Sequence, residues 1–582
     1  MCGILAILDP SVDHQKAHLH HLRASVLIER LAHRGPDGVG VWQGLRGVLG
    51  HRRLAIVDPE GGAQPFSQTR EQGTIAWAAN GEIYNHHQLR DQLGVQLESG
   101  SDCAVIGPAW QHFGDQLMHQ LDGQFALAVL DDSTGRWLVA RDPIGICPLY
   151  IGLHDDGTVW FASEMKALVD DCMHVELVEP GHAWICDGRE VKRVKWYQRP
   201  WMQTVPDTPA DLTVIRETVV EAVRKRFMAD VPFGVLLSGG LDSSLVAAAA
   251  KRLVDAGEVE YSGPLHTFSI GLEGGPDLEP ARKVAEFLGT VHHEFTFTVE
   301  EALAAVPAVS RHLESYQQIR TAVPTYLLAQ KVRALGFKMV LSGEGSDELM
   351  AGYLYFHKAP SPEELHHETV RKTFRLHQYD VMRANKAPMA HGLELRFPYL
   401  DRAFIELAMS MDPAHRQPLP GPDGWPIEKA IIRQAFDDAD DPWLPAEVLW
   451  RQKEQFSDGV GYDWVDTLRA FADERLTPEQ WAARGERFPE DTPTTGEMYW
   501  MRELFEEAFV TDKVSGRSAI ATVGTGRSIA CSTPEALSWD PAWETFSGDI
   551  SGRAMADVHR KGAEFQMETD PGAGAEKDEE AA

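Results

Sequence analysis

The chain has 582 residues, 43% of them hydrophobic, with 55 Lys and Arg against 87 Asp and Glu, giving a formal net charge of −32. Such a length exceeds what one hydrophobic core supports and predicts two to four domains. The acidic balance, with no Lys/Arg-rich run, excludes a nucleic-acid partner, since a polyanion binder needs a basic face that releases counterions.

The chain opens Met1-Cys2-Gly3, followed by an apolar run at residues 4–8 that stops at Asp9. That run is too short for a secretory signal, and no later stretch approaches the ~20 apolar residues of a membrane span. The other five cysteines, Cys103, Cys147, Cys172, Cys186 and Cys531, include no C-x-x-C pair, so neither a disulfide framework nor a zinc knuckle is expected. A cytoplasmic enzyme acting on small molecules, without a membrane partner, fits these limits.

Up to about residue 200 the pattern predicts short strands at 4–8, 50–57, 75–79, 125–130, 137–140 and 159–162, with few long helical stretches. This is a strand-rich α+β domain. Residues 197–210, with Pro200, Pro206 and Pro209, read as a linker. Beyond it strands alternate with helices: 234–237 then 243–253, 265–270 then 280–288, and 338–341 then a glycine- and acid-rich loop. Alternation of this kind predicts a parallel sheet. Helical periodicity over 364–383 and 402–411 adds a helical subregion, and the Ala/Gly/Asp/Glu-rich tail from about Glu568 is expected to be disordered. The expected division is therefore 2–200, 210–530 and an extension at 531–582.

Removal of Met1 would leave Cys2 with a thiol and a free α-amine, whose ordinary pKa of about 7.7–8 lets it take the thiol proton near neutral pH. Amide hydrolysis by that thiolate also needs oxyanion donors, a cation for a substrate carboxylate and an anion for a substrate ammonium. Asn80-Gly81-Glu82 after the predicted strand offers the first, Arg53 the second, and Asp102 the third. Each residue alone also has an ordinary structural reading, as hairpin turn, surface charge or helix cap. The succession C-G-I, His33-Arg34-Gly35-Pro36-Asp37, R-L-x-I-V-D from Arg53, N-G-E-I-Y-N from Asn80 and G-S-D ending at Asp102 resembles the class II glutamine amidotransferases over residues 2 to about 190. The resemblance implies Cys2 as nucleophile and Asn80 and Gly81 as oxyanion hole. It also implies a glutamine pocket from Arg53, Leu54, Ala55, Ile56, Val57, Asn80, Gly81, Glu82 and Asp102.

In the second half, Leu236-Leu237 runs into Ser238-Gly239-Gly240-Leu241-Asp242-Ser243-Ser244 and an alanine-rich helix. Small residues at a helix N-terminus expose backbone N–H groups to an anion, so a phosphate is expected there. The Walker A pattern is absent, and S-G-G-x-D-S resembles the pyrophosphate loop of enzymes that adenylate a substrate. A second loop, Ser342-Gly343-Glu344-Gly345-Ser346-Asp347-Glu348, carries three acids among small residues. Since Mg²⁺ binds nucleotide phosphates through one or two carboxylates, Asp242 and Asp347 are candidates for the metal and Glu344 for acid–base work. Both loops are expected at C-terminal strand ends of one sheet. Lys453, in the stretch 451–461, could carry charge on a transferring phosphoryl group.

The order of S-G-G-L-D-S-S, L-S-G-E-G-S-D-E, G-Y-L-Y-F-H-K-A-P, R-A-N-K-A and W-R-Q-K-E-Q-F-S-D-G-V-G-Y resembles the glutamine-hydrolysing asparagine synthetases of the bacterial B type over nearly the whole chain. It implies a two-domain protein: an N-terminal-nucleophile-hydrolase-like domain of stacked sheets, then an α/β parallel-sheet synthetase domain with a helical subregion. It further implies a homodimer that uses glutamine, aspartate and Mg-ATP. ATP contacts would come from Leu236, Ser238, Gly239, Gly240, Asp242, Ser243, Ser244, Ile270, Ser342, Gly343 and Lys453, and aspartate or intermediate contacts from Arg320 and Glu344. Aspartate would be adenylated on its β-carboxylate, and ammonia from glutamine would cross an internal tunnel to displace AMP. One stretch departs from the pattern: T-T-I-R-A-S is replaced by Gln317-Gln318-Ile319-Arg320-Thr321-Ala322. Two long amides beside Arg320 leave open an acceptor carboxylate other than aspartate.

Overall fold

The computed structural model describes residues 1–9, 13–453, 459, 461–524 and 535–543. The first half builds two six-stranded antiparallel sheets. One runs, in spatial order, His174–Leu177, Tyr150–Leu153, Val159–Ala162, Gly3–Leu8, Gly47–Arg53 and Gly38–Gln43; the other Val191–Lys195, His182–Asp187, Arg136–Arg141, Gly123–Asp131, Gly73–Ile83 and Phe66–Arg70. Their central strands are buried, Gly3–Leu8 along its whole length and Gly123–Asp131 from Gln124 onward, because each lies between its own sheet's neighbours and a facing layer. Strand Gly3–Leu8 pairs antiparallel with Gly47–Arg53 and Val159–Ala162, which fixes Cys2 at the end of a central strand.

The second half carries a five-stranded parallel sheet in the order Val291–Thr296, His266–Gly271, Phe233–Leu236, Met339–Leu341, Glu394–Arg396. Phe233–Leu236 and Met339–Leu341 are hydrogen-bonded neighbours, so the loops that follow them emerge side by side. Helix Leu241–Asp255 buries ten of its residues, including a run of four alanines whose small side chains let it seat closely on the sheet.

The linker at 197–210 is anchored at its start, where Tyr197 and Trp201 are buried and Glu406 accepts from the Tyr197 hydroxyl at 2.8 Å and the Trp201 indole at 3.0 Å, while residues 203–205 and 207–209 are exposed. Two sequence-predicted elements have different bounds. The expected helix at 364–383 is broken at Tyr379 (φ −126°, ψ −109°) into Pro362–Arg375, a 3₁₀ turn and Asp380–Met389. Strand Gly73–Ile83 does not end before Asn80 but continues through it, because Asn80, Gly81 and Glu82 pair with Ala126, Phe125 and Gln124. Of the expected extension, Ala536 and Trp543 pack on Tyr355, Phe356 and Leu365, while the tail from Glu568 lies outside the described residues. Among the described residues no helix is long and apolar enough to cross a membrane.

Candidate active sites

Cys2 is 8% exposed and sits between the two antiparallel sheets. Its backbone N–H donates to Asn80 Oδ1 at 2.7 Å, its sulfur accepts from the Leu54 N–H at 3.4 Å, and its carbonyl accepts from Arg34 Nε at 2.8 Å. Burial pushes the thiol pKa up, against the pull of the nearby chain-terminal ammonium. The amine that would become Cys2's own is thus already oriented by the Asn80 carbonyl, and Asn80 Nδ2 lies 3.5 Å from Ser163 Oγ. Gly81 has φ +138°, and a Cβ there would lie 1.9 Å from the Gln124 carbonyl oxygen, so only glycine fits this close strand pairing.

The rest of the predicted glutamine pocket is distributed around this point. Leu54, Ala55 and Ile56 are buried and Val57 half-buried in the segment leaving strand Gly47–Arg53, which ends earlier than residue 57. Arg53 donates to the carbonyls of Pro59 at 2.8 Å and Asp58 at 2.5 Å, so its fork shapes the following turn. Asp102 is buried and accepts from the Ile83 N–H at 2.7 Å; burial raises its pKa. Glu82 is buried too, and burial lifts its carboxyl to about 7 although Arg396 of the parallel sheet, 2.9 Å away, opposes the rise.

The H-R-G-P-D segment ties the two halves of the chain together. Arg34 is fully buried and donates to Glu164 at 2.8 Å and to Asn385 Oδ1 at 2.9 Å, besides the Cys2 carbonyl. Asp37 accepts from the Ala55 N–H at 2.8 Å and pairs with Lys338 at 2.7 Å; burial alone would raise its pKa, but Lys338 holds it low. Asn385 in turn donates to the Ile146 carbonyl at 2.9 Å, tying the turn after Arg141 to the second domain.

At the second site one cavity is lined by Leu236, Ser238, Gly240, Asp242, Ser243, Ile270, Arg320, Ser342, Gly343, Glu344, Asp347 and Lys453. Of the predicted nucleotide residues, Gly239 and Ser244 stand behind this surface. Gly239 (φ +73°) turns the chain tightly against Pro280 and Ala281, and Ser244 is fully buried in the helix. The two loops touch: a Cβ on Gly343 would lie 2.6 Å from the Ser243 backbone nitrogen. Ser238 and Ser243 hydroxyls are 3.0 Å apart at the N-terminus of helix Leu241–Asp255, where backbone N–H groups and the helix dipole favour an anion.

Lys429, absent from the predicted set, is buried with its ammonium 2.6 Å from both Asp242 Oδ2 and Asp347 Oδ1, while Lys453 pairs with Asp347 Oδ2 at 2.7 Å. Burial would raise the Asp347 pKa, but Lys429 and Lys453 hold it far below the usual carboxylate range. Two carboxylate oxygens converging on one cationic atom, with Asp242 Oδ1 buried and unpartnered, are a donor set suited to a hard cation. No group of three or more His, Cys, Asp or Glu ligands gathers among the described residues, so the fit is to an ion completed by phosphate oxygens rather than to an all-protein cage.

Glu344 accepts from Arg383 at 2.7 Å, and burial raises its pKa against that guanidinium. Glu348, in the same loop, is buried and does not line the cavity; burial lifts it to about 8, and the Tyr353 hydroxyl donates to it at 2.5 Å. Arg320 is engaged bidentately by Glu497, at 2.9 and 2.5 Å. The two departing glutamines diverge. Gln317 is buried and donates to the Gly524 carbonyl at 2.5 Å, whereas Gln318 takes φ +62° at the residue preceding helix Ile319–Ala334, without a side-chain capping bond, and lines the cavity. Of the stretch 451–461, residues 454–458 and 460 lie outside the described residues.

Sequence reasoning passed over Lys429, Arg383 and Glu497. Arg383 stood inside R-A-N-K-A, where charges at i and i+3 on one helix are a usable signal; Lys429 and Glu497 stood in no recognisable pattern.

The family model described as "Asparagine synthase" matches residues 214–364 and 359–523, and "Glutamine amidotransferase domain" matches residues 1–183. An asparagine synthetase [glutamine-hydrolyzing] of Asparagus officinalis is 49% identical over 565 residues, covering 96% of this chain and 93% of its own. Asparagine synthetase [glutamine-hydrolyzing] 2 of Lotus japonicus is 46% identical over 582 residues, with coverage of 99% and 97%. Among solved structures, a glutamine phosphoribosylpyrophosphate amidotransferase of B. subtilis matches at 23% identity and a TM-score of 0.28, covering 45% of this chain and 65% of its own. With full-length relatives at nearly half identity and both family models in order along it, the chain belongs to the glutamine-hydrolysing asparagine synthetases.

Proposed function

We propose that the protein moves the amide nitrogen of glutamine to the β-carboxylate of L-aspartate, with ATP cleaved to AMP and pyrophosphate through a β-aspartyl-AMP intermediate. One continuous path carries the reading. The Cys2 carbonyl is held by Arg34, Arg34 by Asn385, and two residues before Asn385 on the same helix Arg383 grips Glu344. A buried cysteine site and an anion-loop site are thereby fixed on one framework. Ammonia released into water near neutral pH would be protonated and lost as a nucleophile, so a rigid framework joining the two sites has a chemical purpose.

At the first site, with Met1 removed, the α-amine of Cys2 takes the thiol proton. The thiolate then attacks the glutamine amide carbonyl, and the oxyanion is met by the Asn80 side chain and the Gly81 N–H. The proton returns to the leaving ammonia, and water releases glutamate. At the second site the helix end at Ser238–Ser243 receives the ATP phosphates, with Lys429 and Lys453 countering charge. Asp242 and Asp347 would hold Mg²⁺, which supplies charge neutralisation on those phosphates. The aspartate β-carboxylate bonds to the α-phosphorus as pyrophosphate leaves; ammonia then bonds to the acyl carbon, Glu344 takes its proton, and AMP departs. We further propose a cytoplasmic homodimer. The five cysteines among the described residues are free and buried, which supports a reducing compartment, and the family resemblance supports the pairing.

The test supplies glutamine labelled at the amide nitrogen, Mg-ATP and a panel of carboxylates. L-Aspartate should yield labelled asparagine in step with glutamate, AMP and pyrophosphate. Cys2→Ala should abolish glutamine use and leave ammonia-supported synthesis within about twofold, since the thiol touches only the first site. Pyrophosphate release stimulated by another carboxylate and not by aspartate would overturn the acceptor assignment, and Gln318, facing the cavity beside Arg320, is the residue that would explain it.

A further inference from the structure

The Arg320–Glu497 pair is not explained by helix-to-helix attachment alone. Arg320 is the second residue of helix Ile319–Ala334, and its own carbonyl is fixed by the Trp464 indole at 2.8 Å; Glu497 is the second residue of helix Gly496–Phe509, whose first turn is capped by Thr495. Both side chains line the cavity that contains the phosphate-type loops, with Gln318 beside them. Buried ion pairs contribute little net stability, because desolvation offsets attraction. Polar groups converging on a cavity, by contrast, fix the orientation of whatever enters it.

The other acids on this surface have work elsewhere. Asp242 and Asp347 face Lys429 between the two loops, Glu344 and Asp380 share Arg383, and Asp277 pairs with Arg451 next to Gly239. Glu497 and Arg320 together present one negative and one positive group, the complement of an α-amino-acid zwitterion. Inserting that zwitterion exchanges one ion pair for two, carboxylate on Arg320 and ammonium on Glu497, so no buried charge is left alone.

We propose that Glu497 is a specificity-determining residue of the synthetase site: it binds the α-ammonium of the acceptor while Arg320 binds the α-carboxylate, leaving the side-chain carboxylate to reach the nucleotide. This rests on the reading of the acceptor as an amino acid. Succinate, which has the two carboxylates of aspartate and no ammonium, should meet repulsion from Glu497 and be rejected.

The experiment follows pyrophosphate release by the full chain with ammonia as nitrogen source, varying L-aspartate in the presence of succinate as inhibitor. Glu497→Gln should raise the aspartate KM about 10- to 100-fold, the scale expected when a charged hydrogen bond to substrate is lost. The ATP KM should stay within about twofold, and the ratio of succinate Ki to aspartate KM should fall about tenfold or more. Glu497→Asp, keeping the charge, should restore much of the preference, and it carries the test if the Gln variant fails to fold; glutaminase activity reports folding of the first domain. An unchanged aspartate KM, or a lower kcat with the aspartate-to-succinate preference intact, would mark the pair as a helix tie and overturn the proposal. A wild-type enzyme that shows no aspartate-dependent pyrophosphate release would instead sink the acceptor reading, before Glu497 is considered.

Discussion

Gly81→Ala isolates the first site with a single methyl group. At φ +138° the new Cβ would stand 1.9 Å from the Gln124 carbonyl oxygen and 2.8 Å from the Phe125 Cα, both backbone atoms of the paired strand. An ordinary carbon–oxygen contact exceeds 3 Å by a few tenths, so either the strands Gly73–Ile83 and Gly123–Asp131 separate by about 1 Å or more here, or the backbone at residue 81 rotates. Overpacking of this size costs about 1–3 kcal/mol, which a sheet buried on both sides can absorb while folded. Asn80 cannot absorb the shift, because its carbonyl holds the Cys2 nitrogen at 2.7 Å. A 1 Å misplacement of catalytic groups costs about 10²-fold in rate. Glutamate release from glutamine should therefore fall about 100-fold in kcat/KM, while pyrophosphate release supported by ammonia stays within about twofold. Glutaminase activity within threefold of wild type in a folded Gly81→Ala protein would refute the reasoning, and so would equal loss from both nitrogen sources.

Two further predictions concern the loop 342–348. Glu344→Gln keeps the size of the group that Arg383 grips and removes its proton-accepting charge, so synthesis from glutamine and from ammonia should both fall about 10²- to 10⁴-fold, with glutamate release largely kept; unchanged ammonia-dependent synthesis would make Glu344 structural. Glu348 holds its proton up to about pH 8 in the fold against an ordinary value of 4.5. Between those values the unfolded chain has lost a proton that the folded chain keeps. Its contribution is therefore fully present below pH 4.5 and is lost as pH rises towards 8, by up to about 1.4 kcal/mol per pH unit. Glu348→Gln removes this dependence, so its melting temperature relative to wild type should climb from pH 5 to pH 8; a constant difference across that range would refute the neutral-carboxyl assignment.

Much of this was legible because the informative residues lie in compact, locally determined motifs. Ser238–Gly240 and Ser342–Asp347 each follow a short apolar strand, and strand-then-small-residue-loop is a local pattern. Their meeting through Gly343 follows from parallel pairing, which the strand–helix alternation implied. The end of strand Gly73–Ile83 was misplaced for a physical reason. Asn-Gly ordinarily signals a hairpin, but here the glycine serves a close cross-strand approach to Gln124, a tertiary requirement invisible in a window of ten residues. Lys429 escaped for a similar reason: it lies 187 positions from Asp242 and 82 from Asp347, and only the folded sheet brings the three together.

The contacts between the two halves are unusual in being made by buried charge rather than by apolar surface alone. Glu314, fully buried on the synthetase side, accepts from the backbone N–H groups of Met165 and Lys166 at 2.8 Å each and pairs with Lys386 at 2.7 Å. Lys386 also reaches the Tyr150 hydroxyl at 2.6 Å, and Glu164 is shared by Arg34, His33 and Lys166. An apolar seam tolerates sliding, because its energy depends on area and hardly on register. A seam of directional, charge-assisted hydrogen bonds does not, since a displacement of 1 Å leaves a buried charge unpaired at a cost of about 3–5 kcal/mol. The arrangement therefore fixes the distance and orientation between the Cys2 site and the Glu344 site. That constraint is what transfer of a reactive, easily protonated nucleophile requires, and it is written in Arg34, Asn385 and Lys386 rather than in either set of catalytic residues.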